Sequence, residues 1–387
     1  MSLHQLKVVI VGAGIGGLAT GLALRQAGYE VDVYENAPAI RPIGFGLCMW
    51  PNGAKALNAL GLGAAIERVS PKLDAVEFRA DDGELLSHVA MDPLEEAVGQ
   101  RPYPIARADL LAALLAAFGD EHVHLSADGV RVEQDADGAT AHFADGRSAR
   151  GDLVVGADGI RSTVRRHVVG HDGVFNYLSA AWETVVPADP EISPSDTFTF
   201  WVGENRRAAL MPIAGERAYC FFDFPPPPDH GEDGVAPLAF LAEQYGDWCE
   251  PVRQLLGRVD PDKTMPVRYH DLDALDTYVN GRVVLIGDAA HATTPTLGQG
   301  AAQATEDGLV LAHFLRTTNR SLDDALARYD AERMRRTQAI VLGARAQTQK
   351  IVAHDQGVTK SWHDELRNGS RDFVEAVEKI TLAGPLR

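Results

Sequence analysis

Gly12-Ala13-Gly14-Ile15-Gly16-Gly17 decides the fold. This GxGxxG stretch stands between two elements of opposite kind. Before it, Lys7–Val11 is a short apolar run suited to a buried parallel strand. After it, Ile15–Gln26 carries a helical pattern that Gly28 stops. Glu30–Tyr34 then reads as a second strand with Glu35 at its end, completing a βαβ unit. In such a unit Gly12 permits the tight turn, Gly14 lets the backbone approach a pyrophosphate, and Gly17 lets the helix pack close to the sheet. Gly16 completes the cradle. The helix N-terminus offers unpaired N–H groups and a partial positive charge to phosphates. Glu35 is placed to accept hydrogen bonds from ribose hydroxyls. The motif alone leaves NAD and FAD both open.

Working outward, the pattern is interrupted and then resumed. Ala106–Phe118 is helical. Val130–Gln134, Ala139–Phe143 and the segment 148–150 read as a meander with turns at Asp137-Gly138 and Asp145-Gly146. Residues 152–155 form another buried strand. The aromatic-rich middle reads as strands at 180–186, 197–202, 208–212 and 218–224, followed by a Pro225–Pro228 break. Helix is expected over 238–257, 301–316, 322–349 and 361–382, and a buried strand over 282–286. The reading is an α/β protein: a discontinuous Rossmann-like dinucleotide-binding domain, an inserted mixed-sheet substrate domain and a helical C-terminus. The expected boundaries are 1–72, 98–175 and 278–345 for the first domain, 73–97 and 176–277 for the second, and 346–387 for the helical segment.

Composition narrows the partners. The 387 residues carry a formal net charge of -18, which repels nucleic acid and anionic membrane surfaces. Cys48, Cys220 and Cys249 show no CxxC spacing, so no metal framework is expected and a reducing cytoplasm fits. No apolar run reaches membrane-spanning length.

Two further motifs bear on the cofactor. Gly156-Ala157-Asp158-Gly159-Ile160-Arg161-Ser162-Thr163-Val164-Arg165 follows one buried strand. Gly287-Asp288-Ala289-Ala290-His291 follows another and runs through Pro295 and Gly298-Gln299-Gly300 into a helix. With GxGxxG, in this order, they resemble the group A flavoprotein monooxygenases, the para-hydroxybenzoate hydroxylase family. The resemblance implies FAD as cofactor, NADH or NADPH as a transient co-substrate, and oxygen carried on flavin C4a as a hydroperoxide that hydroxylates an electron-rich ring. It also implies that Asp158 and Gly159 lie near the pyrophosphate, that Asp288 holds a ribityl hydroxyl, and that Arg107 contacts FAD. Each role is chemically sound: a carboxylate fixes a polyol and a guanidinium offers phosphate a rigid fork. Taken singly, both aspartates could equally be turns or N-caps, and His291 could be a satisfied structural histidine.

The similarity extends to the urate-hydroxylating branch of that family, through Trp50-Pro51-Asn52-Gly53, Val202-Gly203-Glu204, Leu210-Met211-Pro212, Phe221-Phe222-Asp223 and Gly384-Pro385-Leu386. It implies that Arg207 and Tyr219 face the substrate and that Thr296 lies at the same site. For urate the product would be 5-hydroxyisourate. Two positions depart from that branch: Thr296 stands where it has aspartate, and Glu183 where it has asparagine. A phenolic or N-heterocyclic ring therefore stays open as substrate, and so does a flavin-binding protein without turnover.

Overall fold

The computed structural model describes residues 5–40, 45–226, 238–318, 321–353 and 355–386. The strand Lys7–Val11 lies inside a six-stranded sheet, between Leu153–Gly156 and Glu30–Tyr34, and pairs in parallel with both. Val283–Leu285 and Val123–His124 extend the sheet in parallel on either side, and Val279–Asn280 closes one edge antiparallel. Val8, Val9 and Ile10 are fully buried, as a parallel strand covered on both faces requires. The helices Ile15–Gln26, Arg107–Phe118 and Gly300–Thr317 supply Leu18, Leu110, Leu114, Leu311 and Leu315 to this core. Gly129–Gln134, Ala139–Phe143 and Ser148–Gly151 form the expected meander.

A seven-stranded sheet makes the second layer. Its order is Met265–Leu272, Phe175–Pro187, Arg217–Phe224, Arg206–Ile213, Thr197–Gly203, Ala75–Ala80, Leu85–Ala90. All neighbours are antiparallel except Thr197–Gly203 beside Ala75–Ala80, which makes the sheet mixed. Cross-strand register sorts its side chains onto two faces. One face buries Trp201, Leu210, Phe222 and Phe224 against Tyr245 and Trp248. The other carries Phe198, Phe200, Met211, Tyr219 and Phe221.

A two-stranded ribbon, Gly46–Met49 with Tyr103–Ala106, meets that second face. The C-terminal helices Gln356–Asn368 and Ser370–Leu382 add Trp362 and Phe373 to the same apolar cluster. Phe373 meets Trp50 and Phe78 edge-on, with ring centroids 5.5 and 5.9 Å apart.

Several elements differ from the sequence reading. The expected helix at 238–257 is two short helices, Phe240–Tyr245 and Glu250–Leu256, split where Gly246 ends the first and Pro251 opens the second. The expected helix at 361–382 is also two, because Gly369 interrupts it and Asp355 caps an earlier start at Gln356. Met265–Leu272 is a strand that the sequence pattern did not reveal. Of the Pro225–Pro228 break, Pro227 and Pro228 lie outside the described residues.

Candidate active site

The glycine cradle is built by close contacts. Gly12 has φ +107°, and a Cβ there would lie 2.3 Å from the Ala157 carbonyl oxygen, so the turn tolerates no side chain. A Cβ on Gly17 would meet the Gly12 carbonyl at 1.9 Å, which fixes helix against strand. Gly14 differs: nothing lies within 4 Å of the place its Cβ would take. It caps the twelve-residue helix Ile15–Gln26 and faces a cavity of ≈ 580 Å³. That open helix N-terminus, on a cavity wall, fits a pyrophosphate.

The cavity gathers residues far apart in sequence. Gly14, Gly16, Arg107, Gly159 and Asp288 line one part. Thr296, Gly298, Gln299 and Gly300 line the loop and helix start beside them. Arg207 and Tyr219 line the sheet wall. Arg107 and Asp288 are exposed toward solvent space in this structure.

Glu35 and Asp158 stand behind that wall. The Glu35 carboxylate accepts the Ala13 N–H at 2.8 Å and the Ala37 N–H at 3.0 Å. It therefore stiffens the glycine turn, and its remaining lone pairs can still meet a hydroxyl. The Asp158 carboxylate accepts the Thr163 and Val164 N–H groups at 2.7 and 3.1 Å and the Ser162 hydroxyl at 2.5 Å. It takes the first two N–H groups of the helix Thr163–Val169, whose N-cap is Ser162.

Arg165 is a positioning residue that the sequence reading quoted but did not assign. Only 1% exposed, it donates to the carbonyls of Ile160 at 2.6 Å, Asp172 at 2.7 Å and Ala289 at 3.0 Å. It thus ties the Asp158-Gly159 loop to the Asp288 loop. Its signal in the sequence is the second arginine of the Gly156–Arg165 motif.

His291 proves to be a buried structural group. It hydrogen-bonds Asp307 at 2.7 Å, and the same Asp307 oxygen accepts the Gly287 N–H at 2.8 Å. Arg333, fully buried, donates to Asp307 at 2.6 Å and to Glu306 at 3.0 Å, and Arg336 adds a second cation on Glu306 at 2.6 Å. Burial pushes the Asp307 carboxyl up, but His291, Arg333 and the Gly287 N–H more than offset this and hold it at about 2. The network sets the turn that presents Asp288. Only the fold brings Glu306, Asp307 and Arg333 together.

On the sheet wall, Arg207 is 6% exposed and paired with Asp223, itself 3% exposed. Its Nε lies 3.0 Å from Asp223 Oδ2, and one terminal nitrogen also donates to that oxygen. The Phe200 and Phe221 rings sit 5.5 and 5.6 Å from the guanidinium carbon. Arg207 is therefore locked in place, with one terminal nitrogen left to meet a ligand. Tyr219 stacks at 6.4 Å on Phe45, and a Cβ on Gly46 would lie 2.5 Å from its Cβ. Glu183 accepts the Tyr269 hydroxyl. The Thr296 hydroxyl donates to the Ala344 carbonyl at 2.9 Å and sits 3.1 Å from the Thr348 hydroxyl. Asp223, Tyr269 and the phenylalanines went unassigned in the sequence. Among the described residues there is no cluster of metal-ligating side chains, and no helix long and apolar enough to cross a membrane.

Comparison with known proteins identifies the family. The model of the FAD-binding domain family matches residues 5–344. A FAD-dependent urate hydroxylase of Klebsiella pneumoniae is 38% identical over 384 residues, covering 98% of this chain and 100% of its own. A 3-amino-4-hydroxybenzoate 2-monooxygenase of Streptomyces cremeus is 35% identical over 348 residues, covering 88% and 86%. The crystal structure of Klebsiella pneumoniae HpxO with FAD and uric acid superposes with a TM-score of 0.94 at 37% identity, covering 99% of this chain and 98% of that one. With a dinucleotide cradle and a polar-aromatic sheet wall sharing one cavity, this chain belongs to the FAD-binding domain family and is an FAD-dependent aromatic-ring hydroxylase.

Proposed function

We propose that the chain hydroxylates urate to 5-hydroxyisourate, with NAD(P)H supplying two electrons and oxygen supplying the inserted atom. The observation that carries the reading is Arg207, held by Asp223 and set on the cavity wall with Tyr219, in a chain similar end to end to urate hydroxylases. When bound, FAD would take the electrons and activate the oxygen, chemistry that no side chain supplies.

The protein's part is to hold and exclude. Gly14 and the N-terminus of its helix would take the pyrophosphate, with Gly12, Gly16 and Gly17 shaping the turn. Glu35 and Asp288 would meet the sugar and ribityl hydroxyls, and Arg107 a phosphate. Asp158 and Gly159 would border the pyrophosphate and the NAD(P)H approach, and Gly298, Gln299 and Gly300 the flavin ring. The Arg207 nitrogen left over from Asp223 would donate to a ring carbonyl, and Tyr219 would fix the ring's orientation. Asp223 nearly neutralises Arg207, so the site suits a polar ring carrying at most one negative charge. Phe198, Phe200 and Phe221 keep the wall apolar and limit water beside the reacting ring.

A phenolic or N-heterocyclic ring is the second reading. It is favoured by Thr296, whose hydroxyl is spent on the Ala344 carbonyl, and by the acid at Glu183. NADH and NADPH oxidation by the FAD-loaded protein, with and without urate, distinguishes the two when product and peroxide are both followed. Urate-stimulated oxidation with hydroxylated product and little peroxide supports the first reading. Oxidation indifferent to urate, or yielding only peroxide, rejects it.

A further inference from the structure

Glu183 lies in the strand Phe175–Pro187, opposite Phe221 on one side and Met265 on the other. That register puts it on the same sheet face as Arg207, Tyr219 and Asp223. The Tyr269 hydroxyl donates to Glu183 Oε1, and Tyr219 lies close enough for the Glu183 charge to act on it. Both tyrosines line the cavity, while the carboxyl sits behind them. A carboxylate only accepts, and each tyrosine hydroxyl has one proton to give. With its proton directed at Glu183, the Tyr269 oxygen presents lone pairs, not a hydrogen, to the cavity.

We propose that Glu183 sets the hydrogen-bond polarity of the substrate site: by drawing the hydroxyl proton of Tyr269 away from the cavity, it selects a ring that offers an N–H or O–H donor at that wall. The inference rests on the reading that this cavity takes the ring substrate. Asparagine at this position could not act the same way. Its amide would donate to one tyrosine and turn that hydroxyl's proton outward. The acceptor wall is therefore a property of this chain's own residue.

The charged groups around Glu183 are Arg107 from the helix Arg107–Phe118, which favours its ionised form, and Asp223, which opposes it and is itself engaged by Arg207. Burial outweighs the rest and pushes the Glu183 carboxyl up. Burial, followed by the Glu183 charge, likewise pushes both tyrosine hydroxyls up, so they stay protonated donors. As pH falls and Glu183 gains its own proton, it can donate to one tyrosine and free that hydroxyl to point into the cavity. Acceptor character is strongest above the Glu183 pKa and weakens below it.

The test uses the FAD-loaded protein without NAD(P)H and reads ligand binding from the flavin absorbance change. The probes are two pairs: urate with its ring-N-methylated forms, and 4-hydroxybenzoate with 4-methoxybenzoate. In the unmodified protein the donor-bearing member of a bound pair is expected to bind about tenfold tighter than its methylated twin, the value of roughly one good hydrogen bond. Glu183→Gln should shrink that ratio to about threefold or less while FAD content and Tm hold, because the carboxamide reverses Tyr269. In a Tyr269→Phe background the same change should shift binding by about twofold at most, since Glu183 acts through Tyr269. Glu183→Asp should restore part of the ratio, and lowering the pH should lower the ratio wherever position 183 keeps a carboxyl, but not in Glu183→Gln. The proposal is overturned if no pair is discriminated, if Glu183→Gln keeps the ratio, or if that change costs as much in the Tyr269→Phe background as it does alone. Should urate fail to bind while the benzoate pair shows the Glu183-dependent ratio, the urate reading falls and this inference stands.

Discussion

Gly46→Ala is a sharp test of how the ribbon Gly46–Met49 frames the site. The new Cβ would sit 2.5 Å from both Cβ and Cγ of Tyr219 and 2.7 Å from its Cδ1. Carbon atoms in ordinary contact stand about 3.5 Å apart or more, so roughly 1 Å must be found. Tyr219 cannot swing clear, because its Cβ is fixed by a central strand paired to Val185 on one side and Met211 on the other. The ribbon must retreat or the tyrosine ring must tilt out of the cavity. Overpacking of this kind costs about 1–3 kcal/mol of stability. Displacing a substrate-positioning group by about 1 Å can cost roughly 100-fold in rate. We expect kcat/KM for substrate-stimulated NAD(P)H oxidation to fall by about that factor, with more peroxide per NAD(P)H and a Tm lower by a few degrees. FAD content should hold, because the glycine turn at Gly12 and Gly14 is built by other contacts. The assay is steady-state oxidation with product and peroxide quantified, beside a thermal melt and the flavin-to-protein absorbance ratio. An alanine variant with unchanged kcat/KM and Tm would refute the framing role. One that loses FAD would show that the ribbon supports the cofactor instead.

Arg333→Met removes the buried cation shared by Asp307 and Glu306, and should cost about 3–5 kcal/mol in urea unfolding at neutral pH. Asp307 is held at about 2, below its unfolded value, so its stabilisation is complete above the unfolded pKa and is lost as pH falls toward 2. The gap between Arg333→Met and the parent should therefore narrow in melts run from pH 7 toward pH 3; a gap constant with pH would show that the loss is packing alone. Thr296→Val deletes a hydroxyl spent on Ala344, so it should cost about 1 kcal/mol of stability and change KM by less than about threefold. A tenfold rise in KM would place that hydroxyl on the substrate instead.

Local sequence pattern was enough to read the nucleotide-binding half. Lys7–Val11, GxGxxG and Ile15–Gln26 are contiguous, and a strand, a tight turn and a helix N-terminus are local events whose residue requirements can be read from spacing. The Asp158-Gly159 and Gly287-Asp288 motifs are equally local and also follow their strands. Which arginine of the Arg206-Arg207 pair faces the cavity was not determined by spacing, because a shift of one residue exchanges the faces of a strand. Resemblance pointed to Arg207, and pairing with Asp223 fixes the choice, while Arg206 turns to the Gln244 carbonyl at 2.8 Å. The same holds for Glu183 beside Tyr219 and Tyr269, whose strands are joined only in the sheet. It holds again for the burial of His291 with Asp307 and Arg333. In each case the chemistry belongs to a pair distant in the chain, and a buried charge finds its partner only when packing removes water from both. Local pattern therefore decided how this protein receives its cofactor, and tertiary packing decided the polarity of the wall that meets the ring.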